Sequence, residues 1–318
     1  MQRYIIRRLL LFIPSLLLAS IIMFSILRVI PGDVATAMLG GGESGGYSEA
    51  QLQKVREMLG LSDPLIVQYL KWMKEVLTGS LGHSVYTGQP VVEIVAADLP
   101  TTVQLSLYVV ALSVLVSIPL GVLAALLHNR WPDYAIRSIT ILGLAMPNFW
   151  VALLVIMFLV LVFNWVPPLI YRHLWQSPGD HLSLMVWPAL VLAWGYSSYL
   201  VRMTRASLLE VLTQDYIRTA HSKGLPAARV IINHALRNAL IPVVTLGGLY
   251  VGTILSGSVI LEVIFGIPGI GSELVLAVEH RDYPIVQALG LLFVTVMLTM
   301  NLVVDITYSW LDPRIKYN

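Results

Sequence analysis

The chain has 318 residues, of which 57% are hydrophobic, 12% are charged and none is cysteine. A soluble globular protein is typically about 45–50% apolar and about 25% charged. This composition excludes a disordered chain, a collagen, a disulfide scaffold and an ordinary cytosolic enzyme. It indicates an integral membrane protein. The net charge of +2 is uninformative, because 20 basic and 18 acidic residues nearly cancel.

Long stretches without Asp, Glu, Lys, Arg or His predict six transmembrane helices, since about 20 apolar residues are needed to cross the hydrocarbon core. The stretches are residues 9–27, 101–127, 138–171, 182–201, 239–261 and 283–304. The third is too long for one crossing, and Asn164, Trp165 and Pro167 indicate that its helix ends near Phe163. The predicted fold class is an all-α integral membrane protein, because barrel strands would alternate in polarity over about ten residues.

The distribution of Lys and Arg predicts that both termini are cytoplasmic. With that orientation, 13 of the 20 basic residues lie inside. Arg3, Arg7 and Arg8 precede the first span, and residues 35–37 (ATA) resemble a signal-peptide cleavage site. The apolar run is longer than the roughly 7–15 residues of a signal peptide, so we expect it to remain as an anchor.

The chain divides into three parts. Residues 1–30 form the cytoplasmic N-terminus and first span, residues 31–100 form a small helical extracytoplasmic segment, and residues 101–318 form a five-span core. In the outer segment, a capping box of Ser48 and Gln51 predicts a helix over 49–59. Asp63 and Pro64 predict the start of a second helix, and a third, short helix is expected over 91–98.

A cytoplasmic loop at 202–240 lies between the fourth and fifth spans. Over 202–238 it interleaves six basic and two acidic residues with apolar residues at helical spacing, and Gly224-Leu225-Pro226 interrupts it. This pattern predicts a helix, a sharp turn and a second helix. Basic residues that only hold the loop inside would explain the charge but not the interruption.

Motifs for nucleotide or metal binding are weak. A G-x-G-x-x-G string at 40–45 follows a membrane span instead of a strand, so we interpret it as a flexible connector. None of the five lysines is followed by Ser or Thr, as a P-loop requires. The seven histidines show no metal-ligand spacing, and cysteine is lacking. We therefore expect no catalytic residue, no metal and no cofactor on this chain.

Residues 216–226 (YIRTAHSKGLP) and 234–242 (HALRNALIP) resemble the coupling loop of bacterial binding-protein-dependent ABC importer permeases. Ala220, Gly224 and Pro242 occupy the family's alanine, glycine and proline positions, while Arg218-Thr219-Ala220 replaces its usual Glu-Ala-Ala start. Further stretches resemble the dipeptide, oligopeptide and nickel branch of the family, so that the resemblance covers the whole chain. These stretches are residues 3–8, 31–33, 59–64, 79–82, 146–150, 265–271, 281–284 and 311–314.

The resemblance implies a multi-pass permease of the bacterial inner membrane that carries di- or oligopeptides. Its implied partners are a second homologous permease, two cytosolic ATPase subunits that bind ATP and Mg, an extracytoplasmic substrate-binding protein and membrane lipid, with no nucleic acid. Gly224 would permit a sharp turn, and Ala220 would let the coupling helix approach the ATPase closely. The candidate coupling residues are Arg218, Ala220, Lys223, Gly224, Pro226, Arg229, Arg237, Asn238 and Pro242.

Small and polar residues in the spans have two interpretations, helix packing or the lining of the translocation pathway. These candidates are Gly248, Gly252, Ser256, Asn148 and Asn301. Asp305, near the cytoplasmic end of span six, is expected to form a structural ion pair with Arg202 or Arg205. No acidic residue lies at the middle of a span, which disfavours an ion-coupled carrier.

The outer loop at 262–283 is either a turn at the lipid interface or, by resemblance, a periplasmic gate near the docked binding protein. Its candidate residues are Phe265, Pro268, Gly269, Gly271 and Asp282. The predicted function is that of a transport subunit of an ATP-driven peptide importer. A nickel or glutathione importer of the same family, an ion-coupled secondary transporter and an intramembrane hydrolase remain as alternatives.

Overall fold

The computed structural model describes residues 2–29, 48–58, 62–168 and 170–311. The regular structure there is helical, which confirms the all-α fold class. The helices are α1 Gln2–Val29, α2 Glu49–Met58, α3 Leu65–Thr78, α4 Val91–Leu126, α5 Trp131–Ala145, α6 Asn148–Phe163, α7 Pro178–Leu212, α8 Asp215–Ser222, α9 Ala227–Phe265, α10 Ile270–Glu279 and α11 Tyr283–Leu311.

Five of the described helices, α1, α4, α7, α9 and α11, are long and apolar enough to cross a membrane. The pair α5 and α6 satisfies the same criterion when the two helices are taken together, which brings the number of spans to six. The six predicted spans correspond to these five helices and this pair.

The third predicted span is not one uninterrupted helix, and that expectation is wrong. α5 and α6 meet at an angle of 106° across Met146 and Pro147. A proline disfavours helical backbone at the residue before it. Met146 is accordingly extended, with φ −91° and ψ 127°. The Met-Pro step therefore ends α5 and redirects the chain into α6.

The outer segment contains both of the first two predicted helices. The backbone N–H of Gln51 donates to Ser48 Oγ at 3.3 Å, and that of Ser48 donates to Gln51 Oε1 at 2.8 Å, as a capping box requires. α3 ends at Gly79, whose φ of 76° is the left-handed conformation that commonly terminates helices. The predicted glycine-rich connector at 40–46 lies outside the described residues.

The third predicted outer helix is not separate. α4 runs without interruption from Val91 to Leu126 and includes Pro100. Proline removes only one backbone donor, and neighbouring helices can satisfy the freed groups in a membrane bundle. The proposed boundary at residue 100 thus falls within α4, which connects the outer segment rigidly to the second span.

The core of the bundle lies between α4 and α7, which form its most extensive helix pair. Leu105, Val109, Leu184, Met185 and Leu192 are fully buried there. α9 packs against α7 on one side and against α11 on the other, and α1 lies at the edge against α11. This arrangement places the cytoplasmic loop between α7 and α9 and the outer loop between α9 and α11.

α1 contacts the bundle near both of its ends. Near its outer end, Phe24 packs edge-to-face on Tyr69 of α3, with ring centroids 5.4 Å apart. Near its inner end, Arg8 Nη1 lies 2.8 Å from Asp305 Oδ2. The predicted ion pair of Asp305 is therefore present, but the predicted partners Arg202 and Arg205 are wrong, because α1 and not α7 presents the nearest cation to this carboxylate.

Candidate functional site

The cytoplasmic loop consists of the end of α7, the short helix α8 and the beginning of α9. Thr213 and Gln214 separate α7 from α8, so the first predicted helix of the loop is divided in two. The predicted interruption is present, with Gly224 at a φ of 75° and Pro226 immediately before α9. The second predicted helix is the start of α9, which continues to Phe265.

α8 has one buried side, formed by Ile217 and Ala220. These residues pack with Leu208 of α7 and with Val230 and Ala235 of α9. Within the described residues, Ala220 therefore faces its own chain. Its small side chain lets α8 lie close to the base of the bundle.

The other side of α8 and the turn that follows it are exposed, including Arg218, Lys223 and Arg229. Arg218 Nη1 lies 3.4 Å from Asp215 Oδ1, and the two side chains are 75% and 95% exposed. Such an exposed pair contributes little to stability. No carboxylate of the described residues pairs with Lys223 or Arg229. This surface therefore presents cations that no carboxylate of the described part of the chain neutralises.

Asn238 joins α8 to the base of α9. Its Nδ2 donates to the hydroxyl of Tyr216 at 2.9 Å and to the carbonyl of His234 at 3.2 Å. The neighbouring Arg237 is exposed. Of the predicted coupling residues, Asn238 is the one whose side chain connects two elements of the loop.

The cytoplasmic part of α9 departs from regular α-helical geometry. Val230–Leu236 has π-helical hydrogen bonding, a rare feature that often marks functional positions. Pro242, half-buried, follows inside the helix and lacks a backbone donor. α9 is therefore most deformable between the coupling loop and the membrane interior.

Gly248 and Gly252 face α11. A Cβ atom at Gly248 would lie 2.6 Å from Val304 Cγ2, and one at Gly252 would lie 3.5 Å from Met297 Cα. Small residues permit such close approach of helices in membranes. The structure thus supports the helix-packing interpretation for these two glycines. Ser256, four residues further on, is exposed.

Asn148 and Asn301 lie on different helices and are both half-buried. Asn148 begins α6, and its Oδ1 would lie 3.1 Å from a Cβ atom at Gly195 of α7. Asn301 lies on α11. Among the hydrogen bonds of the described residues, none joins Asn148, Asn301 and Ser256 to one another.

A cluster of tyrosines between α7 and α9 was not predicted. The ring centroid of Tyr250 lies 4.9 Å from that of Tyr199 and 5.8 Å from that of Tyr196. The hydroxyl of Tyr196 donates to the carbonyl of Thr253 at 3.0 Å, while Tyr199 is 42% exposed. We name Tyr196, Tyr199 and Tyr250 the tyrosine face. The presence of three tyrosines within predicted spans could have indicated this cluster.

A cleft of about 690 Å³ adjoins the tyrosine face and is bounded by α5, α7 and α9. Three arginines contribute to its lining. The lining residues are Arg137, Thr140, Ile141, Tyr199, Arg202, Met203, Arg205, Ala206 and Leu246. Beside it, Asp133 is fully buried and accepts hydrogen bonds from Arg205 and from the backbone N–H of Asn129.

In the outer loop, the buried carboxylate of Glu262 caps α10. Its Oε2 accepts hydrogen bonds from the backbone N–H groups of Gly271 at 2.8 Å and Ser272 at 3.2 Å, and its Oε1 accepts one from Ser258 Oγ at 3.0 Å. A carboxylate at a helix N-terminus also interacts favourably with the helix dipole. Glu262 was not among the predicted residues. An acidic residue between an apolar span and a glycine-rich turn could have indicated it.

The predicted gate residues of the outer loop are mostly packed. Phe265 is fully buried in the main core, and Pro268 is exposed. A Cβ atom at Gly269 would lie 2.5 Å from Glu262 Oε2, and one at Gly271 would lie 2.6 Å from Val259 Cα. These glycines are thus required for the close contact between the loop and the end of α9.

Asp282 ties the outer loop to the segment that precedes α4. Its carboxylate accepts hydrogen bonds from Ser84 Oγ at 2.5 Å and from the backbone N–H groups of Val85 and Tyr86, both at 3.2 Å. Asp282 is 1% exposed. This predicted gate residue is therefore a structural link between two outer segments.

The sequence matches the family described as the binding-protein-dependent transport system inner membrane component over residues 117–317. The chain belongs to this family. A companion N-terminal family matches residues 1–106. The chain is 41% identical to the oligopeptide transport system permease protein AppB of Bacillus subtilis and 36% identical to the dipeptide transport system permease protein DppB of Alkalihalophilus pseudofirmus. It is 37% identical to the glutathione transport system permease protein GsiC of Salmonella paratyphi A. Each match covers 100% of both chains.

As a component of a binding-protein-dependent transport system, this chain is a multi-pass transport subunit. The matched segment 117–317 contains α8, the turn at Gly224 and the outer loop. Among the described residues, no group of three His, Asp or Glu side chains is placed to hold a metal ion.

A small outer cavity of about 150 Å³ lies beside Asp282 in this family member, and Tyr86, Glu273 and His280 contribute to its lining. The rings of Tyr86 and His280 stack at a centroid distance of 3.9 Å. Burial raises the pKa of Glu273, and the nearby carboxylates of Asp98 and Asp282 raise it further, whereas His280 lowers it.

Proposed function

We propose that the chain is the permease subunit of an ATP-driven ABC importer that carries di- or oligopeptides across the bacterial cytoplasmic membrane. The observation that carries the proposal is the exposed, cationic side of α8 with the left-handed turn at Gly224, a surface suited to a cytosolic ATPase. The oligopeptide and dipeptide permeases, 41% and 36% identical along the whole chain, support the substrate class.

In this proposal, two cytosolic ATPase subunits bind ATP and Mg, a second homologous permease pairs with this chain, and an extracytoplasmic binding protein delivers the substrate. This chain breaks no bond itself. Arg218, Lys223 and Arg229 face the ATPase, and the outer loop from Phe265 to Asp282 lies near the docked binding protein. The domain division at residues 30 and 100 and the loop at 202–240 are retained as proposals.

We propose that both termini are cytoplasmic, as the distribution of basic residues indicates. The sequence contains no cysteine, so a single introduced thiol reports one position. Ser222→Cys in the coupling loop should react with a membrane-impermeant maleimide only after the inner face is made accessible. Thr87→Cys on the outer side should react in intact cells, and the reverse pattern would contradict this orientation.

We propose that the tyrosine face lines the translocation route. The predicted fifth span covers residues 239–261, which places Tyr250 at its midpoint. Neither the hydroxyl of Tyr199 nor that of Tyr250 has a hydrogen-bond partner among the described residues. Lipid hydrocarbon offers no partner to a hydroxyl group, whereas a hydrated route or a partner permease does. Ser256, Asn148 and Asn301 remain further candidates for this lining.

The test is uptake by the complete transporter reconstituted in proteoliposomes. We expect ATP-dependent accumulation of labelled di- and oligopeptides, and none with a non-hydrolysable ATP analogue. Glutathione, itself a tripeptide, is the second candidate substrate, because a relative 37% identical is named for its transport. Nickel ions are tested as a third substrate in the same assay. Accumulation driven by an ion gradient without ATPase subunits would overturn the proposal.

A further inference from the structure

The cleft between α5, α7 and α9 carries more positive charge than its surroundings neutralise. Arg205, one of its three arginines, is paired with Asp133 through two hydrogen bonds. Arg137 and Arg202 are exposed, and neither forms an ion pair with a carboxylate of the described residues. Asp133 interacts with Arg137 only at longer range. Two guanidinium groups without an ion-pair partner in one cleft favour an anionic ligand.

The cleft is continuous with the tyrosine face. Tyr199 contacts the ring of Tyr250 and also lines the cleft. Arg202 follows Tyr199 by three residues on α7, which is about 4.5 Å along the helix axis. α7 then continues to Leu212, where the coupling loop begins. A ligand that moves along the tyrosine face toward the cytoplasm therefore meets the cleft at the inner end of its path.

We propose that Arg137 and Arg202 bind the C-terminal carboxylate of a peptide at the cytoplasmic end of the translocation route. This assignment rests on the proposed function. A guanidinium group pairs with a carboxylate through two parallel hydrogen bonds, a geometry that lysine cannot supply. Every peptide with a free C-terminus has this carboxylate whatever its side chains. The arginine pair thus recognises the group that peptides of different sequence share.

The headgroup of an anionic phospholipid is the other anion that a basic cleft between membrane helices can accept. The unpartnered hydroxyl groups of Tyr199 and Tyr250 beside the cleft favour the peptide, because they fit a hydrated route better than hydrocarbon. Vesicles with and without an anionic phospholipid distinguish a peptide ligand from a lipid headgroup.

The experiment compares two substrates in proteoliposomes that contain the complete transporter, one a labelled tripeptide with a free carboxylate and the other its C-terminal amide. Both are supplied as saturating complexes with the binding protein. For Arg137→Gln/Arg202→Gln, we expect uptake of the free acid to fall about five- to twentyfold, as loss of charge-assisted hydrogen bonds predicts. Uptake of the amide should stay within about twofold of wild type. Arg130→Gln, an exposed arginine at the start of α5 that does not line the cleft, is the matched control.

Equal losses for the acid and the amide would overturn the proposal, as would unchanged uptake of both by the double variant. A loss seen only in vesicles with phosphatidylglycerol, and equal for both substrates, would assign the cleft to lipid. If wild-type vesicles accumulate neither peptide while another substrate is transported, the proposed function itself fails, which is a distinct result.

A second measurement applies if the binding protein does not deliver the amide. A free-acid peptide that ends in a photoreactive phenylalanine is irradiated during transport, and crosslinks to α5 and α7 are mapped. We expect these crosslinks in the wild-type transporter and at least a fivefold reduction in the double variant. Undiminished crosslinking, or crosslinks elsewhere only, would overturn the proposal.

Discussion

The guanidinium group of Arg205 donates two hydrogen bonds to the buried carboxylate of Asp133, from Nε at 2.7 Å and from Nη2 at 2.8 Å. This bidentate pair joins α5 to α7 across the side of the bundle that contains the cleft. Asp133 lies in the first turn of α5, so the pair holds the beginning of this helix against α7.

Asp133→Asn should lower the stability of the purified permease by about 3 kcal/mol, because it leaves the arginine charge partly buried without its partner. The measurement is thermal unfolding in detergent. Asp133→Asn combined with Arg205→Gln removes both charges. This double variant should lose less stability than the single variant. A single variant as stable as wild type would show that the pair is not structural.

Asp282→Asn should loosen the segment that precedes α4. Oδ2 accepts from Ser84 and Tyr86 and Oδ1 accepts from Val85, and asparagine replaces one of these oxygens with an amide nitrogen that cannot accept a hydrogen bond. Loss of bonds to a buried charge costs about 1–3 kcal/mol. Hydrogen exchange of the Val85 and Tyr86 amides should therefore accelerate. Ser84→Ala keeps both backbone bonds and should produce a smaller change, and equal effects would contradict the central role of the carboxylate.

Gly224→Asp should leave the permease folded and inserted but reduce ATP-driven uptake more than about tenfold. Asp tolerates the left-handed conformation better than most residues, and a Cβ atom at Gly224 meets nothing within 4 Å. The added charge would therefore act on the partner that covers the turn. The measurement is uptake normalised to the amount of inserted protein.

Gly79→Asp is the matched control for the coupling turn. Gly79 has a φ of 76° and equally open surroundings, but it lies at the end of α3 in the outer segment. It should be inserted and should transport normally. Normal uptake by Gly224→Asp would contradict the assignment of this turn to ATPase coupling.

Gly248→Ala should destabilise the bundle by about 1–3 kcal/mol, the usual cost of overpacking. The new Cβ atom would lie 2.6 Å from Val304 Cγ2, and Val304→Ala in the same chain should restore most of the loss. Gly252→Ala meets Met297 only at 3.5 Å and should change the melting temperature little. Equal effects at both glycines would argue against packing on α11 as the reason for Gly248.

Glu273→Gln should stabilise the protein at neutral pH and not at low pH. Burial and the nearby carboxylates raise the pKa of Glu273 above its ordinary value of 4.5 in the folded state. Its contribution to stability is therefore complete below 4.5 and is lost as the pH rises through the raised value. At pH 7 the variant should melt roughly 1–3 °C above wild type, a difference that vanishes near pH 4.

Local sequence signals predicted most of the helices. Stretches without charge indicated the spans because their cause is the thickness of the hydrocarbon core, which acts on each stretch separately. Ser48 and Gln51 indicated the start of α2, and the Gly224–Pro226 interruption indicated the turn before α9. Each of these features depends on residues within one continuous segment of the chain, so a single sequence contains the required information.

Contacts between helices could not be predicted in the same way. The sequence placed Asp305 near the inner surface but could not specify that Arg8 of α1, and not Arg205 of α7, lies beside it. Which arginine pairs with Asp305 depends on which helices are neighbours in the bundle. For the same reason the burial of Ala220 against its own chain was not foreseen, since the alternation along α8 defines two faces but not what covers them.

The tyrosine face is the part of the candidate site that a different treatment of the sequence could have found. Tyr196 and Tyr199 are one turn apart on α7, and Tyr250 lies in the middle of α9. Tyrosine is apolar in its ring but carries a hydroxyl group. Three such hydroxyl groups therefore lie within spans that otherwise read as apolar. Their proximity to Arg202 and to the cleft, however, depends on how α7 packs against α9.

α9 is one long helix that runs from the coupling loop at one end of the bundle to the outer loop at the other. It extends over 39 residues, which corresponds to about 58 Å at 1.5 Å per residue. A tilt of about 10° at one end of a rod of this length displaces the other end by roughly 10 Å. If the proposed ATPase displaces α8 and α9 tilts with it, we expect Glu262, and with it the cap of α10, to move as well. The π-helical stretch and Pro242 set how much of that displacement is absorbed before it reaches the outer surface.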